Sequence, residues 1–203
     1  MEPAIFPGDY ILVNKLVYGA RIVKNFDFMK GGKFETFRIK GFGKIKKNDV
    51  MVFNFPYTNP EKLEPDLNVF LVKRCKGLPG DTVRVKNGNY KYSGSLYLPK
   101  ANDKLVIDTT NYQLYKPLIE YETDKIMEFK ENSIYLDKTV LNNYTFKMNY
   151  YFMAGDNTFN SRDSRYWGLV PEDHIVGKAT LIWQSKNMNT GKRRWDRTCK
   201  IIQ

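Results

Sequence analysis

The sequence predicts a mainly β protein, and three observations predict it. The apolar runs are of strand length rather than helix length. They fall at residues 10–16 (YILVNKL), 50–55 (VMVFNF), 69–72 (VFLV), 150–154 (YYFMA) and 174–183 (HIVGKATLIW). The chain carries 14 tyrosines and 13 phenylalanines, which suit a pleated, half-buried surface. Turn formers separate the runs: Pro3, Pro7 and Gly8-Asp9, then Asn48-Asp49, then Gly77-Leu78-Pro79-Gly80-Asp81.

Taken in order, the opening is a turn that leads into the strand at 10–16. Residues 20–46 are basic and glycine-punctuated, and read as an exposed excursion, a hairpin whose Lys and Arg residues form a solvated face. Asn48-Asp49 turns the chain into strand 50–55, which Pro56 stops because proline cannot donate to a ladder. After a polar loop at 57–68, the continuous apolar run 69–72 predicts a strand covered on both faces. Strand 82–86, an Asn-Gly-Asn turn at 87–89 and residues 90–97 predict a hairpin. From about 84 to 147 the composition shifts towards Lys, Asn, Tyr and Thr. This stretch reads as a smaller β-rich domain inserted into a discontinuous core of residues 1–83 and 148–203, with a short helix near 123–130. Strand 150–154 returns to the core. Residues 155–171 (GDNTFNSRDSRYWGLVP) are so polar that they form either a surface loop or a buried polar network. Strand 174–183 and a basic, amphipathic tail complete the chain.

Composition narrows the function. The formal charge is +11, which suits an acidic partner surface such as anionic lipid or nucleic acid. The aromatics lie inside apolar strands rather than interleaved with Lys and Arg, which argues against nucleic acid. No run of about 18 apolar residues and no signal peptide is visible. A single histidine, His174, excludes a multi-histidine metal site. Two cysteines give neither a disulfide framework nor metal-ligand spacing, so no metal and no cofactor is expected.

The candidate chemistry centres on LVKRCKGLPGD, residues 71–81. Side chains alternate along a strand, so Lys73 and Arg74 point to opposite faces. Lys73 either snorkels to solvent or enters the interior, where desolvation lowers its pKa and makes it a base. Ser161 sits in the polar loop, where Asp163 and Arg165 can pair. A lysine base near a serine hydroxyl is the Ser-Lys variant of nucleophilic catalysis. His174 reads as a satisfied structural histidine. Trp167 is expected to pack the loop onto the core, and Trp183 to pack in the core. Trp195 is suited either to packing or to a membrane interface beside the basic tail. Cys75, on the same side of the strand as Lys73, reads as a small buried apolar side chain.

Five blocks resemble the bacterial type I signal peptidases, membrane-anchored serine endopeptidases with a Ser-Lys dyad. They are MEPAIFPGD, GDYILVNKLVYG, KKNDVMVFNFP, LVKRCKGLPGD and GDNTFNSRDSRYWGLVPEDHIVGKA, and together they cover roughly residues 1–81 and 148–203. The resemblance implies a core of strongly bent antiparallel sheets with a variable inserted domain. It implies Lys73 as general base, Ser161 as the hydroxyl that positions it, and Asp156, Asn157, Asp163 and Arg165 as structural support. Met1, Pro3, Ile5, Leu71 and Val72 would position the nucleophile turn and line the substrate pocket. The substrate would be the signal peptide of an exported preprotein, cut after a small-x-small motif such as Ala-x-Ala and bound extended along a sheet edge. The enzyme would work as a monomer on the outer face of the bacterial cytoplasmic membrane, against anionic lipid.

Two departures qualify the resemblance. The family's nucleophilic serine precedes the methionine of the first block, which here is Met1. The chain as it stands is therefore expected to lack the nucleophile and the membrane anchor, and to be inactive. It is either a truncated enzyme or a non-catalytic paralogue that binds export substrates. In the last block Thr158 and Phe159 stand where the family commonly has Arg-Asp, which removes a surface ion pair.

Overall fold

The computed structural model describes residues 1–23, 36–57, 62–86, 91–92 and 94–203. Along the chain come β1 (Asp9–Asn14), β2 (Arg21–Val23), β3 (Thr36–Arg38), β4 (Val50–Phe55), β5 (Asp66–Gly77), β6 (Thr82–Val85), β7 (Gly94–Tyr97) and β8 (Lys104–Val106). Helix α1 (Tyr112–Thr123) follows. Then come β9 (Met127–Lys130), β10 (Ser133–Leu136), β11 (Thr139–Val140), β12 (Asn143–Thr145), β13 (Tyr150–Ala154), α2 (Ser164–Trp167), β14 (Val170–Pro171), β15 (Ile175–Ser185) and β16 (Lys200–Ile201). The fold is mainly β and antiparallel, as the sequence predicts.

The main sheet has the order β1-β15-β4-β5-β13-β14, with β16 also paired to β15. Register shifts interrupt the pairings of β1 with β15, β15 with β4, β4 with β5 and β5 with β13. Each shift places extra residues on one strand, one in most cases and three on β5 between Asp66 and Phe70, and that bends the sheet. Alternation along β4 and β5 then supplies two covered faces. Met51, Phe53 and Cys75 face a large cluster that also holds Phe146, Tyr150 and Trp167. Val50 and Val52 face a smaller cluster with Ala179, Ile182 and Ile202, against which Met1, Ile5 and Val72 pack.

One strand expectation and one helix expectation need correction. Strand β5 is not covered on both faces at residues 69–72, because Val69 and Phe70 are 41% and 56% exposed. Strand β4 pairs with β5 from Asp66 to Arg74, but β13 pairs only with Arg74, Cys75 and Gly77. Among the described residues, the first two-thirds of β5 therefore has a neighbour on one side only. That open edge borders the site. The helix expected near 123–130 lies earlier: α1 ends at Thr123, and Asp124 closes it in a left-handed conformation. Residues 127–130 form a strand instead, paired with β10. Leu114, Tyr115, Leu118, Ile119 and Glu122 make the buried face of α1, a 3–4 residue spacing that Pro117 obscures.

The excursion at 20–46 is a hairpin at its described base, where β2 pairs with β3; its tip, like the Asn-Gly-Asn turn at 87–89, lies outside the described residues. Its arginines are not a solvated face. Arg21 donates to Asp173 O and Asn54 Oδ1, at 2.8 and 2.7 Å. Arg38 donates to the carbonyls of Gly19, Glu172 and Ile175. Backbone carbonyls left over at the turn before β15 draw both guanidiniums inward, since a buried carbonyl needs a donor. His174 sits in that turn with Nδ1 2.8 Å from Asp173 Oδ1, while its buried Nε2 has no partner, so the histidine is structural but only half satisfied.

Trp167 packs as expected, with ring contacts to Phe53, Phe55 and Tyr57. Trp183 does not: it is 55% exposed. Its position on β15 faces away from Ile182 and the smaller cluster, and it shares the open side of the sheet with Tyr10 and Leu12, which are also exposed. Residues of the 84–147 stretch, including Leu98, Leu118, Ile119 and Phe146, join the large cluster together with Phe53 and Tyr150. Glu122 of α1 anchors the join, accepting hydrogen bonds from the hydroxyls of Tyr144 and Tyr150 and from the N–H groups of Lys147 and Met148.

Candidate active site

Lys73 lies on β5 opposite Met51, and its side chain leaves the face of the large cluster near the open edge. Eighty-eight residues later, Ser161 follows a short 3-10 turn (Thr158–Asn160) and is buried. The Lys73 Nζ to Ser161 Oγ distance is 3.0 Å. The loop that carries Ser161 is a buried polar network, one of the two alternatives its composition left open. Ser164 Oγ accepts from Met153 N at 3.0 Å, and Asp163 Oδ2 accepts from Gly155 N at 3.1 Å. Both bonds fasten the loop to the end of β13.

Asp163 has no exposed side-chain surface. Arg165 grips it with Nε on Oδ1 and a terminal nitrogen on Oδ2, each at 2.8 Å, and also donates to Thr158 O. Burial alone would raise the Asp163 pKa. The Arg165 bonds, the Gly155 N–H and the Ser161 hydroxyl outweigh it and hold the carboxyl below its ordinary range. Breaking a buried pair from one side leaves the other charge stranded, which costs about 3–5 kcal/mol. Asp163→Asn is accordingly expected to unfold at markedly lower denaturant at neutral pH. A carboxyl with a lowered folded pKa stabilises above the ordinary carboxylate range and loses that contribution as pH falls through the folded value. The gap between parent and variant should therefore close in acid, and equilibrium unfolding at several pH values measures it.

The electrostatics at Lys73 run the other way. Burial lowers its pKa from the ordinary lysine value, Asp163 opposes, and the Arg165 charge lowers it further; the net direction is down. The α-amino group of Met1 is also lowered, first by burial and then by Lys73. Gly155 makes the close approach of Lys73 and Ser161 feasible. A Cβ there would run into Ser161 Oγ, 2.8 Å from Ser161 Cβ and 3.4 Å from Lys73 Nζ. Cys75 is fully buried, and desolvation pushes its thiol up to about 12, which leaves it unreactive as a thiolate.

Around this pair the other sequence-derived residues divide. Asp156 takes a two-pronged ion pair from Arg74, both contacts 2.7 Å. This bond crosses from β5 to the residue after Gly155, on the face opposite Lys73. Arg74 had no expected role, and the alternation that separates it from Lys73 was its only signal. Met1, Ile5 and Val72 meet on the smaller cluster, whereas Leu71 packs against the large one. Pro3 is exposed in the turn closed by Ile5 N donating to Met1 O at 3.0 Å. Met1, Glu2, Ile5, Phe6 and Pro7 face Asn157 and Asn160 across a cleft of about 350 Å3. Phe6, Pro7 and Asn160 carried no sequence signal for this position. Thr158 and Phe159 lie between the two asparagines, and Phe159 stands fully in solvent. Among the described residues no group of three or more His, Cys, Asp or Glu side chains could hold a metal ion.

A family model for signal peptidase, peptidase S26, matches residues 1–184. The signal peptidase I of Pseudomonas aeruginosa is 35% identical over 197 residues, covering 91% of this chain and 62% of that protein. That of Pseudomonas fluorescens is 32% identical with the same coverage. That of Aquifex aeolicus is 27% identical, covering 91% of this chain and 72% of the relative. The chain thus spans about three-fifths of the length of the Pseudomonas relatives.

Proposed function

Since the chain belongs to the signal peptidase, peptidase S26, family, we propose that it carries the catalytic region of a type I signal peptidase that removes signal peptides from exported preproteins by a Ser-Lys dyad. The observation that carries the reading is the Lys73–Ser161 contact at 3.0 Å beside a lysine whose pKa is lowered by burial. In this reading the residue before Met1 in the longer protein is the nucleophilic serine. Met1 packs on the same small cluster as Val72, the neighbour of Lys73, which supports that position.

The chemistry follows from the charges. Neutral Lys73 Nζ takes the serine hydroxyl proton as the oxygen attacks the scissile carbonyl. The resulting ammonium gives that proton to the leaving amine. Water then repeats the sequence on the acyl-serine, with Lys73 again the base. Ser161, held by Asp163, fixes the lysine's direction, and Arg74–Asp156 fixes the strand end beside it. The signal peptide binds extended along the open edge of β5, where main-chain hydrogen bonds supply affinity. Met1, Ile5 and Val72 form the shallow apolar site for the small residue before the cut, with Pro3 shaping the turn. The segment after the cut leaves along the cleft between Ile5, Phe6 and Asn160.

On this account the protein works at the outer face of the bacterial cytoplasmic membrane as a monomer. No helix among the described residues is long and apolar enough to cross a membrane. The exposed Tyr10, Leu12, Trp183, Trp195 and Ile201 provide an apolar surface for lipid. Arg193, stacked 5.6 Å over the Trp195 ring, adds a cation suited to anionic head groups. Sedimentation with vesicles containing phosphatidylglycerol is expected to carry the chain down, and the double variant Trp183→Ala, Trp195→Ala is expected to remain in the supernatant.

The activity itself is tested with two proteins: this chain, and one extended upstream with serine before Met1. Both are assayed on a preprotein whose signal ends in Ala-x-Ala. Cleavage by the extended form alone, blocked when the last alanine becomes phenylalanine, is the expected result. No cleavage by a folded, membrane-inserted extended form overturns the enzyme reading and leaves a paralogue that binds export substrates without cutting them.

A further inference from the structure

The turn at residues 1–7 is held from behind by a segment almost two hundred positions away. Asp9, whose side chain is fully buried, is the hub. Its Oδ2 accepts from Phe6 N at 2.8 Å and from Arg197 at 2.6 Å; its Oδ1 accepts from Ser185 Oγ at 2.6 Å. Arg197 also donates to Ala4 O at 3.0 Å, and its guanidinium lies 4.4 Å over the Phe6 ring. Arg194 donates to Pro7 O at 2.6 Å and to Ser185 Oγ at 2.8 Å. Three backbone groups of the turn, the Ala4 and Pro7 carbonyls and the Phe6 N–H, thus end on one buried ionic node.

The node makes no bond to Lys73 or Ser161. β1 is already fixed to β15 by a six-residue register. Beyond Asp9 of β1 and Ser185 of β15, its bonds go to the segment before β1. That segment carries Met1 and Ile5, and continues into the position assigned above to the nucleophile. A planar guanidinium is suited to the task, since it can hold a carboxylate and a carbonyl at once while stacking on a ring. We propose that Arg197 is a positioning residue for peptide-bond cleavage: through Asp9, Ala4 and Phe6 it sets the turn that places the nucleophile within reach of Lys73. The proposal rests on the signal peptidase reading above.

Three readouts test it in the extended protein with serine before Met1. Arg197→Met is expected to lower kcat by about 100-fold, the loss a displacement near 1 Å produces. The pH midpoint of the rate should stay near the parent's, because the surroundings of Lys73 are untouched, and KM should rise far less than kcat falls, because the edge of β5 is unchanged and only Met1 and Ile5 shift with the turn. Arg197→Lys retains the charge but cannot span Asp9 and Ala4 O together, so it should fold like the parent and fall between the two. Amide hydrogen exchange should quicken at Phe6 and Ile5 in both variants and remain unchanged in β4 and β13. An unchanged kcat, a loss explained wholly by a smaller folded fraction, or unaltered exchange at Phe6 overturns the positioning role. If the extended parent itself does not cleave, the catalytic reading fails, and the exchange at Phe6 alone decides whether Arg197 sets the turn.

Discussion

Lys73→Met in the serine-extended protein is expected to abolish signal-peptide cleavage, with a fall of about 10⁴-fold, the upper range for removal of a general base. Among the described residues His174 does not replace it, since it is buried in the turn before β15 against Tyr121 and Asp173. The same substitution should raise stability at neutral pH. A lysine with a lowered folded pKa binds fewer protons in the folded state than in the unfolded one. Its charge costs stability below the folded value, and the cost disappears as pH rises towards the ordinary lysine range. Thermal melting of Lys73→Met should therefore exceed that of the parent near neutrality and converge with it in alkali. The parent's rate should rise with pH, with a midpoint below the ordinary lysine range. Residual cleavage by Lys73→Met would assign the base elsewhere.

Gly155→Ala should also be damaging, though less than loss of the base, from one methyl group. The added carbon collides with the Ser161 hydroxyl and lies 3.4 Å from Lys73 Nζ. Neither neighbour can yield freely. Ser161 belongs to the loop fastened by Ser164 to Met153 N and by Asp163 to Gly155 N. Overpacking of this kind costs about 1–3 kcal/mol. The displaced serine would no longer direct Lys73, so kcat is expected to drop about 100-fold while substrate binding along β5 persists. Steady-state kinetics of the extended variant, compared with its melting temperature, separates the two effects. A fully active Gly155→Ala would show that the Ser161 contact is dispensable.

The strands that the sequence made legible are those whose apolar content is local. Val50–Phe55 and Tyr150–Ala154 are found at the expected bounds because each is a run of large apolar residues closed by a turn former or glycine. Burial was harder to read. Residues 69–72 have the composition of a central strand, yet β13 reaches only from Arg74 onward, and strand neighbours cannot be inferred from a single run. Trp183 illustrates the same gap, since which side of β15 lies open depends on the distant strands that cover it. Helix α1 was displaced because Pro117 and three tyrosines mask its helical period. Alternation separated Lys73 from Arg74 correctly, but it could not bring Lys73 to Ser161, 88 positions away; only the five family-like blocks suggested that meeting. The Asp9–Arg197 node was invisible for the same reason, because 188 positions separate its partners and neither carries a local signal for burial.

The most direct test of the account is the titration of Lys73 itself. Selectively ¹⁵N-labelled lysine, with the Lys73 resonance assigned by Lys73→Arg, can be followed by NMR in this chain without any nucleophile or substrate. The account predicts that Nζ of Lys73 loses its proton below the pH at which the exposed lysines do, and that Asp163→Asn moves the titration lower still by removing the charge that opposes the shift. Titration of Lys73 together with the exposed lysines, insensitive to Asp163, would contradict the claim that burial makes it the base.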